Sequence, residues 1–145
     1  MRKSTRFPAA VHIMTMLAAK PGEYMSSEII AGSMDTNRVV VRRLLATLAE
    51  AGLVSSQAGI SGGAMLEKPP EQISLLEIYE AVEPESLFRM HDPHPNCPVA
   101  ACVQEDLVKV FRQAESAMER ELSKKTLAAV CKRGTRKMRA HLASQ

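Results

Sequence analysis

Residues 35–67 read DTNRVVVRRLLATLAEAGLVSSQAGISGGAMLE. A polar cap, Asp35 or Thr36, opens a run in which Val40, Leu44, Leu45 and Leu48 recur at helical spacing, and Gly52 stands where a left-handed residue ends a helix. Residues 53–57 then read as a short strand, 58–63 as a glycine-rich turn and 64–67 as the returning strand. A helix followed at once by a β-hairpin predicts a recognition helix and its wing. Upstream, Ser26 caps a short helix carrying Ile29, Ile30 and Met34 and interrupted near Gly32-Ser33. Before that, Phe7, Val11, Met14 and Leu17 mark a first helix over residues 7–19, stopped by Pro21-Gly22. Two short helices joined by a tight connection, the second opening on polar and basic residues, form a helix-turn-helix pattern.

Downstream, Pro69-Pro70 closes the hairpin, and Ser74 with Glu77 has capping-box spacing for a helix to about Val82. Residues 84–98 hold Pro84, Pro93, Pro95 and Pro98 with His91, His94 and Cys97, which marks a loop or boundary. From Val99 to about Lys125 there is no Pro or Gly, and Val103, Leu107, Val110 or Phe111, Ala114, Met118 and Leu122 alternate three and four apart. That predicts one helix of roughly 25 residues, about 38 Å long. So long a helix exceeds what a small domain can cover, so a symmetric dimer built on it is expected, with folding back onto its own domain as the alternative. A further helix begins near Thr126, and Gly134 is expected to interrupt it; from Lys132 on there are five basic residues and no acidic ones. The expected organisation is mainly α with a small β-hairpin wing: a winged helix-turn-helix domain at 1–83, a loop at 84–98, and a dimerisation helix with a basic arm at 99–145.

Composition agrees with a single helical domain. The 145 residues are 46% hydrophobic and 24% charged, with no Trp, two Tyr and three Phe against nine Met. A sandwich or barrel would use more aromatic residues. No apolar run is long enough to span a membrane, and Met1-Arg2-Lys3 is not followed by a signal-peptide core, so a cytoplasmic location is expected. Three Cys do not make a disulfide framework. The net charge of +3 divides unevenly: residues 1–57 carry +3, 58–99 carry −5 and 100–145 carry +5. A basic head and tail around an acidic middle suggest an anion-binding surface, with nucleic acid the obvious candidate.

With Ile29-Ile30-Ala31, the run from Asn37 to Leu45, the stretch Ala51-Gly52-Leu53-Val54-Ser55-Ser56 and the turn Gly59-Ile60-Ser61-Gly62-Gly63, the sequence strongly resembles the Rrf2 family of winged helix-turn-helix bacterial transcriptional regulators, the family of IscR, NsrR and CymR. The likeness is close over residues 4 to about 83 and looser beyond. It implies a dimeric winged helix whose long C-terminal helix dimerises, and operator binding, as a repressor, coupled to a sensed signal.

On DNA, the first turns of a recognition helix face base edges. Here they present Thr36, Asn37, Arg38 and, a turn on, Arg42; Asn can pair bidentately with adenine and Arg with guanine. Arg43, Ser55, Ser56, Gln57 and Ser61 suit phosphate or wing contacts, with Ser26 and, in the first helix, Ser4, Thr5 and Arg6 adding to them. Gly59, Gly62 and Gly63 permit positive φ and a close approach to the sugar-phosphate wall.

The thiols leave three readings open. Cys97 is a redox-active thiol at the entrance of the long helix, resolved by Cys102 or by a cysteine of the other subunit. Alternatively, Cys97 and Cys102 with one or both of His91 and His94 bind zinc or an iron-sulfur cluster. In the third reading Cys102 and Cys131 are ordinary buried thiols. The family's iron-sulfur members carry three closely spaced Cys in this region; here the positions around 107–110 are apolar and Cys131 lies far beyond, so the cluster motif is incomplete. Neither a nucleophile elbow nor a phosphate-binding loop is present, which argues against an enzyme. A winged helix that acts only as a protein adaptor is the remaining rival.

Overall fold

In the computed structural model, which describes residues 4–145, the chain runs α1 (Arg6–Ala18), α2 (Ser27–Ser33), α3 (Arg38–Glu50), β1 (Val54–Gln57), β2 (Gly63–Leu66), a 3-10 turn (Pro70–Gln72), α4 (Leu75–Val82), α5 (Ala100–Ser123) and α6 (Leu127–Ala143). This is the mainly helical, hairpin-bearing arrangement expected of a winged helix. The Met1-Arg2-Lys3 start lies outside the described residues.

The helix-turn-helix is built by local capping and by a shared apolar core. Ser26 caps α2 by accepting from the Ile29 N–H at 3.3 Å. For α3 the cap is Asn37, whose Oδ1 accepts from Val40 N at 3.0 Å, and not Asp35 or Thr36. Those two residues form the turn instead: Asp35 adopts a left-handed φ of 50°, and Thr36 N donates back to Ala31 O. One core position also differs from expectation. Val41 is fully buried beside Leu44, Leu45 and Leu48, whereas Val40 is outside the core. Ala10, Ile13, Met14 and Leu17 of α1, Ile30 of α2, and Ile73, Ile78 and Val82 around α4 complete the core. Aliphatic residues alone fill it; of the aromatics, Phe7 meets Tyr79 edge-on at 5.5 Å at its margin.

The hairpin pairs Val54 with Leu66 through to Gln57 with Gly63 in antiparallel register. β2 is also tied to the segment leading into α2, since Met25 and Ala64 exchange two backbone hydrogen bonds at 2.9 Å each. This close approach explains Gly63. It sits at φ 148°, and a Cβ there would lie 2.1 Å from Met25 O. At Gly62 a Cβ would lie 2.1 Å from Gln57 O, so both glycines answer to packing of the chain on itself.

Ser74 and Glu77 form the expected capping box of α4. The carboxylate of Glu77 also receives Lys68 Nζ at 2.6 Å. The loop at 84–98 is fastened to α5 by stacking of Phe88 on Phe111, by Leu87 N donating to Glu115 and by Gln104 donating to the His91 carbonyl. α5 spans 24 residues, about 36 Å, and has no buried residue. After it the chain pairs back onto the head, Leu75 N donating to Lys125 O and Leu127 N to Ile73 O.

α6 then lies along α1. The interruption expected at Gly134 does not occur, because this glycine sits where the two helices cross: a Cβ would stand 3.2 Å from Thr15 Cγ2. Arg139 fastens the far end, donating to the carbonyls of Ala19 at 3.1 Å and Ala18 at 3.3 Å, two of the acceptors that the end of α1 leaves free.

Candidate nucleic-acid interface

Between α3 and the wing lies an open groove of about 690 Å³. One wall carries Arg38, Arg42 and Ala46 of α3, the other Ser56, Gln57, Ala58 and the turn glycines, and the N-terminal end of α2 with Ser26 closes it. Arg38, Arg42 and Arg43 are all solvent-exposed, and none is in an ion pair among the described residues. Arg43 does not line the groove; at i+4 from Val39 it stands on the outer face of the helix. Two guanidiniums opposite a polar wing make a surface able to straddle a phosphodiester ridge, with the helix on one side and the hairpin on the other. Glu28 is the single carboxylate along its lining.

The expected contact residues therefore fall into groups. Ser26, Arg38, Arg42, Gly62 and Gly63 meet in the groove. Asn37 is at its edge with Oδ1 committed to the α3 cap, which leaves its amide nitrogen as the free group. Thr36 is half-buried in the turn, and Ser61 is exposed on the wing. Ser4, Thr5 and Arg6 are exposed at the start of α1, where the Ser4 hydroxyl donates to Glu83. That end of α1 adjoins the acidic part of the molecule: Glu80, Glu83, Glu85, Glu115 and Glu119 gather around Tyr79, whose phenol is pushed above its ordinary range by burial and then by three of those carboxylates, Glu83, Glu115 and Glu119.

Sequence reading passed over Val39, Ala46 and Ile60. Val39 is 54% exposed on α3, and Ile60 stands fully out at the wing tip. The signal for Val39 was its position opposite Val41, Leu44 and Leu48 on a helical wheel; for Ile60, a lone aliphatic among turn residues, there was none beyond composition.

Cys97 and Cys102 are exposed free thiols flanking the start of α5, and Cys131 is half-buried on α6 against the core. The loop before α5 turns through His94, whose carbonyl accepts from Cys97 N and whose Nδ1 accepts from Asn96 N. Among the described residues, no three His, Cys, Asp or Glu side chains come together as a metal-holding group. No helix among them is long and apolar enough to cross a membrane.

Residues 3–133 match the Rrf2 family, described as iron-dependent transcriptional regulators. A relative named as the helix-turn-helix-type transcriptional regulator YwnA of Bacillus subtilis (strain 168) is 44% identical over 129 residues, covering 88% of this chain and 95% of that protein. A crystal structure described only as a DNA-binding protein superposes with a TM-score of 0.73 at 41% identity, over 87% of this chain and 98% of that one. The IscR of T. potens superposes with a TM-score of 0.67 at 27% identity, over 92% and 88%. The iron named for the family finds no group of three donors among the described residues: Cys97, Cys102, His91 and His94 do not come together as one. Family and relatives are regulators and not enzymes, and the fold is theirs from α1 through the wing to the C-terminal helices. The chain belongs to the Rrf2 family of winged helix-turn-helix transcriptional regulators.

Proposed function

We propose that this regulator binds a palindromic operator as a homodimer and represses by occupying it, with α3 in the major groove and the wing against the neighbouring backbone. The observation that carries this reading is the groove, which faces Arg38 and Arg42 towards the wing. Arg38 and Arg42 read guanine edges, while Ser26, Arg43, Ser61, Gly62 and Gly63 hold phosphates. Arg38→Ala and Arg42→Ala each weaken operator binding, by about 1–3 kcal/mol per lost bidentate contact, and leave thermal stability almost unchanged. Unaltered affinity in both variants sinks the assignment. Binding by the wild type falls steeply as salt rises, which separates a regulator from an adaptor that binds no DNA.

The homodimer rests on α5. Val103, Leu107, Val110, Ala114 and Ala117 recur four and three residues apart, the a and d spacing of a helical seam. Of these, Val103, Val110, Ala114 and Ala117 are exposed. The described residues offer nothing to cover them, and a second α5 has the matching stripe. Organised this way, the domain at 1–83 reads DNA, 84–98 link, and 99–145 hold the pair together.

The signal enters through Cys97. Its exposure at the threshold of α5 suits oxidation by a peroxide, in which two thiols become a disulfide and the peroxide is reduced to two waters. Cys102 or a cysteine of the other subunit resolves it. Mass spectrometry of peroxide-treated protein shows a disulfide-linked Cys97 peptide, and Cys97→Ser removes the change in operator binding that peroxide causes; a treated wild type with every thiol free removes the reading.

A further inference from the structure

Three consecutive valines follow Arg38 at the start of α3, and the fold buries one of them. At about 100° per residue, Val41, Leu44, Leu45 and Leu48 define the core side of the helix, and Val39 lies almost opposite their centre. It is 54% exposed. Arg42 and Arg43, three and four residues on, flank the same outward face, with Ala46 beyond them. Val40 is rotated to one side and is 39% exposed. An outward valine gives the helix little: its propensity is below that of the Arg, Leu and Ala around it, and its branched side chain loses rotamer freedom. On a helix docked in the major groove of DNA as proposed above, this outward line is the one that faces the base edges.

We infer that Val39 reads the C5-methyl group of a thymine in each half of the operator. The major groove presents hydrogen-bonding groups at every base pair and one apolar group, that methyl. An isopropyl group between two guanidiniums can gain from burying a methyl, and set against cytosine N4 or guanine O6 it leaves a polar edge unpaired. Arg38 and Arg42, as read above, select guanine and cannot make this distinction. Val39 is thus a specificity-determining residue that adds A·T recognition beside G·C recognition. The inference rests on the operator-binding reading above.

The test uses the full chain. In vitro selection identifies the preferred site; each thymine in it is then replaced singly by deoxyuridine, which removes the methyl and nothing else. Binding is measured by fluorescence anisotropy for the wild type, Val39→Ala and Val39→Ser. At one thymine of each half-site the wild type loses roughly fourfold in affinity per methyl removed, the scale of one buried methylene-sized group. Both variants bind thymine and deoxyuridine sites alike, and their thermal midpoints match the wild type. The same penalty persisting in the variants, or no penalty anywhere in the wild type, overturns the role of Val39 alone. A wild type that selects no sequence overturns operator reading itself.

Discussion

α5 and α6 adjoin in the chain and each carries an apolar stripe, yet the fold treats them differently. α6 lies on α1: Leu127 is fully buried, Cys131, Met138 and Leu142 pack against the core, and Arg139 ties down the far end. In α5 no residue of 24 is buried. Leu122 and Phe111 meet the core and the loop, while Val110, at 54% exposure, faces outward. Amphipathicity reports that a face will be covered. Whether the same chain or another one covers it depends on what lies within reach, and the turn pairing with residues 73–75 brings α6 back to the head.

The largest effect that would break this contrast is placing charge in the α5 stripe. Leu107→Asp with Val110→Asp puts two carboxylates per protomer into the seam, each costing several kcal/mol when desolvated. Light scattering then gives half the mass of the wild type at micromolar concentration, while circular dichroism keeps its helical signal. An unchanged mass removes the seam from α5. In that monomeric background, Leu127→Ala costs about 3 kcal/mol and lowers the thermal midpoint by roughly 6–12 °C, whereas Val103→Ala, at an exposed position of the α5 stripe, moves it little. Equal losses at the two positions erase the difference between the helices.

Arg139→Met keeps the apolar stem and deletes two hydrogen bonds to the end of α1, at a cost of about 1–2 kcal/mol in chemical denaturation. Smallest is an acid effect beside the α5–α6 turn. The hydrogen bond from the Lys68 ammonium, then that from the Ser74 N–H, holds the Glu77 carboxyl below its ordinary value of 4.5. A folded value below the unfolded one means the stabilisation is complete above about pH 4.5 and is lost as pH falls through the folded value. Both side chains are more than a third exposed, so the contribution stays under about 1 kcal/mol. Glu77→Gln flattens that acid limb of stability against pH; an unchanged limb assigns it elsewhere.

Much of the head was legible in the sequence because its signals are local. The Ser74–Glu77 capping box, the hairpin after Gly52 and the cap at Ser26 each depend on residues within a few positions of one another. Where the sequence misled, several residues competed for one role. Asp35, Thr36 and Asn37 can all cap a helix, and Asn37 does so because the other two close the turn. Among Val39, Val40 and Val41 no contrast in hydrophobicity marks the buried one. Gly134 has the look of a helix breaker, and its true reason, Thr15 of a helix far off in the chain, cannot be seen from its neighbours. In the candidate groove, Arg38 and Arg42 stood out in the sequence as charge near a helix start, while the close approach of the chain to itself at Gly62 and Gly63 left no local sign.

The bonds between Met25 and Ala64 have a consequence for what DNA must do. They tie the hairpin to the segment that leads into the helix-turn-helix, which, in the operator complex proposed above, holds reading helix and wing at one mutual angle. A reader that cannot open or close its grip leaves the duplex to adapt, by bending or narrowing its minor groove between the two contacts. Base steps that deform easily are then favoured at positions no side chain touches, and the stiffness of the spacer becomes part of the recognition code.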